Sequence, residues 1–452
     1  MALYDSSVIE EIKANINIVD VISGYVALKR HGRNYFGLCP FHNEKSPSFS
    51  VSESKQIFHC FGCGVGGDAL GFLMKIENIT FKEAIEILAE RANIVLPKVE
   101  LGEEEQKKLI LREKVLEINS VAADFFHNNL YGTNAKQAQE YVKKRRMDNA
   151  TLKKFQIGYS GRYDELYKHL KEQGFKDEEI FESKLVLMSS NGVPNDTFKK
   201  RLMFPIKDVK DKVIAFGGRS LEVNPERKYI NSHDTICYSK SRNLYALNIA
   251  KKTQRDYLVM VEGYMDAVSL HQRGIDNAVA SLGTALTESQ GRLLKRYKSK
   301  IIIGYDSDGA GQNATMRGLE ILQNLGFDIR VLQIERELAK DPDEFITKYG
   351  SGKFELYLKN AISLVEFKVK NLKETLDLNQ ANDKIKFLNE TSKILVRTKS
   401  DFEKEVYIDK ISETYGISKE AIYGEINKLE YANLKGEKVL NRSNAVKQIE
   451  TR

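Results

Sequence analysis

The spacing of apolar residues changes several times along the chain, and each change predicts a different kind of element. Near the N-terminus an apolar stripe with helical spacing precedes three short aromatic-rich runs, which are typical of strands, at 34–39, 48–52 and 55–60. A second amphipathic helix is predicted after them, because Thr80 and Glu83 form the pattern of a capping box. The first hundred residues therefore predict a small mixed module.

Farther along, the pattern predicts helices and then a change to buried parallel strands. A charged stretch at 97–108 is typical of a linker, and the periodicity of 110–190 is helical. The apolar runs 257–262 and 301–306 have the length and β-branched content of buried parallel strands, with helical patterns between and after them. We expect more helices before a disordered tail at 432–452, where apolar residues are few.

Composition and charge restrict the class of protein without identifying it. The chain has 452 residues, 42% of them hydrophobic, which is ordinary for a soluble protein of several domains. No apolar run is long enough for a transmembrane helix and the N-terminus lacks a signal-peptide pattern, so we predict a cytoplasmic protein with no membrane partner. The net charge of +7 permits a nucleic-acid partner, and residues 196–256 carry fourteen Lys and Arg against seven Asp and Glu.

Two pairs of metal-ligand residues give the strongest local signal. Two residues separate the members of each pair, and seventeen residues separate the pairs. This spacing indicates a closed tetrahedral zinc site that is structural rather than catalytic. His59 breaks the spacing and is expected to be a bystander, and the isolated Cys237 is expected to be a buried thiol. The predicted ligands are Cys39, His42, Cys60 and Cys63.

Basic and aromatic residues flank the predicted zinc ligands and suit the binding of single-stranded nucleic acid. The basic residues are Lys29, Arg30, Arg33, Lys45 and Lys55, and the aromatic residues are Tyr35, Phe36, Phe41 and Phe58. The alternative is that the aromatic side chains form the core of the module, because small zinc modules use every apolar residue for packing.

Carboxylates follow both predicted parallel strands, at the end of the strand where open α/β sheets bind ligands. Glu262 closes the first strand, and Asp306 closes the second, with Asp308 two residues later. Because converging carboxylates repel one another, we expect a divalent cation, Mg²⁺ or Mn²⁺, among them. A third acidic cluster at 341–344 is expected at the same site. The alternatives are solvated loop acids and, for 341–344, the acidic first turn of a helix.

Several long motifs follow one another along the chain, namely 39-CPFHNEKSPSFSV-51, 60-CFGCGVGGD-68, 260-MVEGYMDAVSL-270 and 304-GYDSDGAG-311. Others lie between them, at 200–206, 214–220, 228–232 and 240–247. In content, order and spacing these motifs resemble the bacterial DNA primases, the DnaG family. The first two resemble the CHC2 zinc ribbon of that family, the next two resemble its Toprim metal-binding fold, and the others resemble its basic lobe.

The resemblance implies a multidomain protein of α+β and α/β type, with an N-terminal zinc ribbon, a mixed α/β basic lobe, a Rossmann-like Toprim sheet and a C-terminal helical subdomain. It implies a DNA primase, a DNA-directed RNA polymerase and nucleotidyltransferase that makes short RNA primers de novo on single-stranded DNA. The expected boundaries are 1–97 for the zinc-binding domain, 98–109 for a linker, 110–255 for the basic lobe, 256–337 for the Toprim domain, 338–431 for the helical subdomain and 432–452 for the tail.

The resemblance also implies roles for individual residues. One structural zinc ion would be bound by the four ligands already predicted. Glu262, Asp306 and Asp308 would be catalytic and would bind magnesium or manganese, with Asp341 and Asp343 assisting and Asp266 nearby. Template DNA and ribonucleoside triphosphates would be contacted by Arg145, Arg201, Arg219, Lys228, Asn231 and Lys240. A solvated surface charge is the alternative for any single basic residue.

The sequence departs from the family pattern in three places. Arg146 stands where glycine is expected, and Ala215 replaces a usual glycine. Members of the family usually continue into a C-terminal helicase-binding domain, and this chain ends too early to contain it whole. We therefore expect that domain to be absent, although the replicative helicase and single-strand-binding protein remain expected partners at the replication fork.

Other functions would also use an acidic sheet edge or a zinc ribbon. A Toprim topoisomerase or nuclease is one, but a topoisomerase needs a nucleophilic tyrosine in a DNA-gate domain, and no such domain pattern is evident. A zinc-ribbon DNA-binding regulator with a degenerate polymerase core is another, and the intact acidic set argues against it. A fused primase-helicase is disfavoured because the sequence has no GxxxxGK[ST] phosphate loop.

Overall fold

The structure of the protein is a computed structural model, and the chain forms two compact units within it. The first unit is Met1–Ile110 and the second is Leu111–Arg452. The described residues are 4, 6–42, 44, 46–77, 79, 81–96, 103–283, 285–305, 312–398 and 401–431. Thr80, Lys45, Asp306, Asp308 and the predicted tail at 432–452 lie outside them.

The first unit is a five-stranded antiparallel sheet with helices packed against it. Its helices are α1 (Ser6–Ala14), α2 (Ile18–Ser23), α3 (Ala69–Ile76) and α4 (Phe81–Arg91). Its strands are β1 (Lys29–His31), β2 (Asn34–Gly37), β3 (Phe49–Ser52), β4 (Ile57–Cys60) and β5 (Gly66–Gly67), and they pair in that order. The predicted strands at 34–39, 48–52 and 55–60 correspond to β2, β3 and β4.

A phenylalanine cluster forms the core of the first unit. Phe49 and Phe58 stack at a ring-centroid distance of 5.2 Å, and Phe72 of α3 meets Phe58 edge-on at 5.5 Å. Phe41 packs against all three rings. Phe41 and Phe58 are therefore core residues, as the alternative interpretation of these aromatic residues supposed, and the core lies directly behind the predicted zinc ligands.

The second unit contains the remaining elements. Its helices are α5 (Glu103–Leu130), whose first residues belong to the first unit, α6 (Lys136–Lys144), α7 (Asn149–Phe155), α8 (Glu165–Glu172), α9 (Asp177–Glu182), α10 (Leu247–Ala250), α11 (Tyr264–Gln272), α12 (Glu288–Lys295), α13 (Gln312–Asn324), α14 (Pro342–Lys359), α15 (Leu364–Glu374), α16 (Ala381–Val396) and α17 (Asp401–Tyr415), with a further helix at 419–431. Its strands are β6 (Gly158–Tyr159), β7 (Val186–Met188), β8 (Pro194–Asp196), β9 (Arg201–Lys207), β10 (Val213–Ser220), β11 (Tyr229–Asn231), β12 (Tyr257–Val261), β13 (Ala278–Ala280), β14 (Lys300–Gly304), β15 (Asp328–Val331) and β16 (Ile362–Ser363).

The N-terminal part of the second unit is a mixed α/β lobe built on an antiparallel sheet of order β11-β10-β9-β6. Helix α5 crosses this sheet so closely that a Cβ atom on Gly158 would lie 2.3 Å from the backbone of Phe126. Phe126 packs its ring edge-on against Phe216 of β10. Glycine at 158 therefore permits the close packing of helix and sheet that buries this core.

The central part of the second unit is an α/β sheet of order β13-β12-β14-β15-β16. The first four strands are parallel, and β16 is antiparallel. The apolar residues of β12 and β14 are buried, which explains why both strands were recognisable as continuous apolar runs. Their carboxyl ends lie side by side, because Val261 pairs with Gly304.

Helices α15 to α17 complete the described fold around a separate apolar core. Its buried residues include Val365, Phe387, Leu395, Ile408 and Ile422. Among the described residues, no helix combines the length and apolar character needed to cross a membrane.

Candidate metal centre and acidic sheet edge

The four predicted zinc ligands lie together in the first unit. One candidate ligand atom from each of Cys39, His42, Cys60 and Cys63 lies within 4.8 Å of the others. The Sγ atoms of Cys39 and Cys63 are 3.8 Å apart, and Cys60 Sγ is 3.8 Å from His42 Nδ1. Zinc–sulfur bonds of about 2.3 Å place two sulfurs of a tetrahedron about 3.8 Å apart, so this donor set fits one zinc ion.

Two tight turns aim the sulfur atoms at a common point. The N–H groups of Phe41 and Cys63 point at Cys39 Sγ and Cys60 Sγ, at 3.4 and 3.5 Å. Burial favours the neutral thiol of Cys60, but hydrogen bonds, among them those from the backbone N–H groups of Cys63 and Gly62, outweigh it and lower the pKa of Cys60 to about 6. The turn therefore favours a thiolate, the form that binds metal.

The exposed aromatic surface of the first unit differs from the predicted one. Phe61, directly after a predicted ligand, is 71% exposed, and its ring meets that of His59 at 5.0 Å. Arg30 lies 5.9 Å from the ring centroid of the partly buried Tyr35. Phe61 was not predicted, because its neighbours in sequence gave no signal that its side chain faces outward.

In the second unit, the described members of the predicted acidic set lie near the carboxyl ends of β12 and β14. Glu262 follows the last residue of β12 and therefore lies beside Tyr305, which follows β14. Tyr305 is partly buried, and its pKa is raised by desolvation and by the nearby charge of Glu262. Asp306 and Asp308 follow Tyr305 in sequence but lie outside the described residues.

Two helices begin at this end of the sheet. Asp266, in the first turn of α11, accepts hydrogen bonds from the N–H groups of Gly263 at 3.1 Å and Asp343 at 3.3 Å. Asp341 caps α14 by accepting from the N–H of Glu344 at 2.7 Å, and burial raises the pKa of Asp341. We refer to Glu262, Asp266, Asp341 and Asp343 as the acidic edge. The helix-cap alternative for 341–344 thus describes Asp341 correctly, and the cap itself lies at this edge.

Asp343 pairs with a basic residue that was predicted to bind nucleic acid. Its side chain is buried, and Arg145 Nη1 lies 2.7 Å from Asp343 Oδ2. The hydroxyl of Thr347 donates to the other carboxylate oxygen at 3.4 Å. Arg145 therefore lies at the acidic edge, and its charge offsets part of the repulsion among the carboxylates.

Two tyrosines fix the predicted arginines in place. The Arg219 guanidinium lies 4.8 Å from the ring centroid of Tyr141 and 5.2 Å from that of Tyr229, and its Nη1 donates to the Tyr229 hydroxyl at 2.6 Å. Arg145 Nε donates to the Tyr141 hydroxyl at 3.0 Å. We call Tyr141, Arg145, Arg219 and Tyr229 the arginine–tyrosine cluster. Sequence reasoning found its arginines but missed its tyrosines, which carry no motif of their own.

Lys228 lies close enough to this cluster to be affected by its charge. Partial burial lowers the pKa of Lys228, and the positive charges of Arg219, Lys340 and Arg145 lower it further, in that order. The opposing influence comes from Asp341. Cations of the α/β lobe and carboxylates of the acidic edge therefore converge on one region of the second unit.

The remaining predicted contact residues take part in structural hydrogen bonds. Arg201 donates to the backbone carbonyls of Gly218 and Arg227 at 3.1 and 3.2 Å, which anchors the segment just before Lys228. Asn231 donates to the carbonyl of Leu282 at 2.7 Å, and its side-chain oxygen accepts from the Tyr264 hydroxyl. The described contacts of Arg201 and Asn231 thus join protein segments to one another.

Lys240 lies on a loop that a buried glutamine fixes. Gln290, in the first turn of α12, donates to the carbonyls of Lys240 at 3.0 Å and Asn243 at 2.8 Å. The Asp234 carboxylate accepts from the Lys240 N–H at 3.1 Å. The backbone of Lys240 is therefore well anchored.

Three models of known families match successive parts of the chain that carry the motifs. The CHC2 zinc finger model matches residues 4–104, the N-terminal domain of the DNA primase catalytic core matches 125–251, and a Toprim-like model matches 259–346. The class defined by the fold and the two candidate sites is therefore a zinc-ribbon protein with a Toprim-type catalytic core.

Relatives and solved structures define the family more closely. DNA primase of Clostridium acetobutylicum is 43% identical over 424 residues, which cover 93% of this chain and 70% of that protein. The zinc-binding and RNA polymerase domains of Aquifex aeolicus primase superpose with a TM-score of 0.59 at 35% identity, covering 92% of this chain and 99% of that structure. A DnaG primase catalytic domain bound to ssDNA gives a TM-score of 0.59 at 29% identity, covering 68% of this chain and 100% of that structure. The chain belongs to the bacterial DNA primase family.

These matches confirm the predicted fold class, the predicted family and the predicted primase function, which places the chain among enzymes that make RNA. They also contradict one expectation. A model described as the DnaB-helicase binding domain of primase matches residues 365–420, so the expectation that such a domain is absent was wrong. The segment consists of amphipathic helices around an apolar core, and such helices carry no ligand or glycine motif that would distinguish a partner-binding domain from any other bundle.

Proposed function

We propose that the chain joins ribonucleotides by nucleotidyl transfer at the acidic edge, with single-stranded DNA as template. The observation that carries this proposal is the adjacency of Glu262, at the end of β12, to the end of β14, with two acidic helix starts beside them. In the reaction, the 3′-hydroxyl of one ribonucleotide attacks the α-phosphate of the next, and pyrophosphate leaves. Carboxylates at adjacent strand ends suit this chemistry because they can share divalent cations.

Magnesium or manganese is the cofactor that this set of oxygen ligands favours. Glu262, Asp306 and Asp308 are the proposed principal ligands, with Asp341 and Asp343 in support. When bound, the ion would stabilise negative charge on the attacking and leaving oxygens. Arg145 already balances Asp343 in the described structure, so we assign Asp343 mainly to holding Arg145 at the edge.

Cations facing the acidic edge would bind the substrates. Arg145, Arg219 and Lys228 are positioned to contact triphosphates or the template backbone, because they converge beside Asp341. Lys240 is assigned the same role on its anchored loop. Arg201 and Asn231 are assigned indirect roles, since their side chains fix the segments that carry Lys228 and β11. Such phosphate contacts should make binding strongly salt-dependent.

The first unit would bind the template with the support of one structural zinc ion. Cys39, His42, Cys60 and Cys63 are the proposed ligands, and their spacing leaves no open coordination position. The exposed ring of Phe61 and the cation of Arg30 are the proposed contacts with single-stranded DNA, because bases stack on aromatic and guanidinium faces.

The partners follow from the same function. The match at 365–420 supports the replicative helicase as a partner of α15 to α17, and single-strand-binding protein is proposed because it covers the same template. The reaction takes chromosomal DNA as template, so we place the protein in the bacterial cytoplasm at replication forks.

Primer synthesis on single-stranded DNA with labelled ribonucleotides tests the proposal. Wild type should make short RNA from triphosphates alone. Asp306→Asn should abolish bond formation while single-stranded DNA binding stays within about twofold, since backbone affinity comes from cations that neutralise phosphates and not from a carboxylate. Cys60→Ser should lose zinc and initiation yet still extend a preformed primer. Normal synthesis by Asp306→Asn would refute the assignment of the acidic edge.

A further inference from the structure

Glu44 lies beside the proposed zinc ligands and accepts hydrogen bonds on both carboxylate oxygens. Its Oε1 accepts from the backbone N–H groups of Cys39 at 2.7 Å and Ser48 at 3.2 Å. Its Oε2 lies 3.2 Å from His42 Nε2 and accepts from the hydroxyl of Ser48. One carboxylate therefore contacts both members of the first ligand pair.

The two nitrogens of His42 face different partners. Nδ1 points to the ligand cluster, 3.8 Å from Cys60 Sγ, whereas Nε2 faces Glu44. A carboxylate at Nε2 keeps the proton on that nitrogen, which leaves the lone pair of Nδ1 available to a metal. This is the tautomer that the proposed coordination requires.

Ser48 extends the contact to the second ligand pair. Its Oγ lies 3.2 Å from Cys60 Sγ and also reaches Glu44 Oε2, so the hydroxyl bridges carboxylate and sulfur. Gly62 shows how tightly this arrangement is packed, because a Cβ atom there would lie 2.7 Å from His42 Nε2 and 2.8 Å from Ser48 Oγ. The packing leaves the Glu44 side chain only 10% exposed.

We propose that Glu44 is a positioning residue of the zinc site, which fixes the His42 tautomer and ties both ligand turns to one carboxylate. The inference rests on the proposed ligand set, and it adds a residue that is not itself a ligand. Glu44 is assigned this indirect role because its Oε2 faces His42 Nε2, whereas the other ring nitrogen, Nδ1, faces Cys60 Sγ. Partners of this kind typically contribute 10- to 100-fold to metal affinity, roughly.

Zinc competition against a chromophoric chelator, with the full chain, tests the proposal. Glu44→Gln keeps the size of the side chain but loses its charge and one acceptor, and it should weaken zinc affinity by about 10- to 100-fold. Glu53→Gln is the matched control, because Glu53 lies in the same unit but pairs with Asn17, and it should stay within about twofold of wild type.

Measuring the same substitution in a second variant distinguishes a positioning role of Glu44 from a general loss of structure. In His42→Cys the imidazole is gone. The factor by which Glu44→Gln weakens zinc affinity should therefore be at least about threefold smaller in that background than in wild type. Cobalt(II) spectra of the folded, metal-loaded fraction give an independent readout, because the d–d bands should shift in Glu44→Gln and stay unchanged in Glu53→Gln. An affinity of Glu44→Gln within twofold of wild type, or an equal cost in both backgrounds, would overturn the inference.

Cys60→Ser in the same assay distinguishes this inference from the ligand assignment. If Cys60→Ser loses zinc while Glu44→Gln binds it normally, the ligand set stands and the role of Glu44 is refuted. If Cys60→Ser binds zinc like wild type, the ligand set itself is wrong and the positioning role fails with it.

Discussion

In the first unit, four ligand atoms within 4.8 Å of one another come from two short turns, whereas the acidic edge of the second unit collects its carboxylates from a strand end and two helix starts. Backbone N–H groups point at two of the sulfur atoms, so the cluster is prepared for a metal. At the acidic edge, by contrast, Asp266 and Asp341 accept from helix N–H groups, and Asp343 accepts from Arg145.

This difference separates a site that a metal must hold together from one that the protein holds together itself. Clustered cysteine thiolates repel one another, and a small unit that brings them together needs the ion for folding. Carboxylates that are capped and paired by protein groups can stay close without it, and are then available to an ion that arrives with its substrate. The experiments below test that contrast, from the largest expected effect to the smallest.

Removal of zinc should have the largest effect, and only in the first unit. Structural zinc contributes about 10–16 kcal/mol in small zinc peptides, so a strong chelator or Cys60→Ser should abolish the thermal transition of this unit. Circular dichroism and zinc content measure the loss, and Cys237→Ser is the control because that thiol lies outside the cluster. If both unfolding transitions persist in the presence of the chelator, the proposed contrast between the zinc site and the acidic edge is wrong.

Loss of the ion pair at the acidic edge should have a smaller effect. Arg145→Met leaves the buried charge of Asp343 without its guanidinium, so the free energy of unfolding of the second unit should fall by about 2 kcal/mol. Urea denaturation measures this change, with the exposed Lys144→Met as control. A combined Arg145→Met and Asp343→Asn variant should regain part of the loss, and equal stability of all variants would contradict the pairing.

The Tyr141 ring of the arginine–tyrosine cluster should contribute to substrate affinity through Arg219. Tyr141→Ala removes the ring beside Arg219, and a cation–π contact of about 1 kcal/mol predicts roughly fivefold weaker binding of single-stranded DNA or triphosphate. Tyr141→Phe keeps the ring and should lose less. Fluorescence anisotropy at fixed salt measures both, with the exposed Tyr131→Ala as control. If Tyr141→Ala binds single-stranded DNA and triphosphate as wild type does, this cluster is not part of the substrate site.

The smallest expected effect is a gain of stability, at the turn that follows Arg145. Arg146 stands where glycine was expected and adopts a φ of +54°, in the left-handed region that disfavours side chains. Arg146→Gly should raise the free energy of unfolding by about 0.5–1 kcal/mol, because it relieves a strain of about 1–2 kcal/mol and adds a smaller cost in chain entropy of about 0.5–1 kcal/mol. Differential scanning calorimetry measures the shift, and a decrease in Tm would mean that the Arg146 side chain makes a stabilising contact.

Local sequence was sufficient to predict the zinc cluster and the parallel strands. Two residues separate Cys39 from His42, and two separate Cys60 from Cys63, so one turn brings each pair together. The strands β12 and β14 are buried on both faces, so their sequences are continuous apolar runs. The adjacency of their carboxyl ends followed from the rule for ligands in α/β sheets.

Contacts between residues far apart in sequence could not be predicted in this way. Arg145 and Asp343 are 198 residues apart, and neither neighbourhood indicates the other. Tyr141 and Tyr229 are two of 21 tyrosines and become distinctive only through their packing on Arg219. Glu44 could have been suspected from its place beside His42, but its bond to the amide of Cys39 depends on how the loop folds. The segment that matches the helicase-binding model was missed because its helices carry no ligand or glycine motif.

The most direct measurement is the binding of Mn²⁺ to the full chain, followed by electron paramagnetic resonance, together with primer synthesis by the same samples. Glu262→Gln should lose at least about tenfold in Mn²⁺ affinity and should lose bond formation, because a strand-end carboxylate ligand is removed, while single-stranded DNA binding and both unfolding transitions persist. Wild-type Mn²⁺ affinity and wild-type primer yield in Glu262→Gln would contradict the claim that the acidic edge is the site of nucleotidyl transfer.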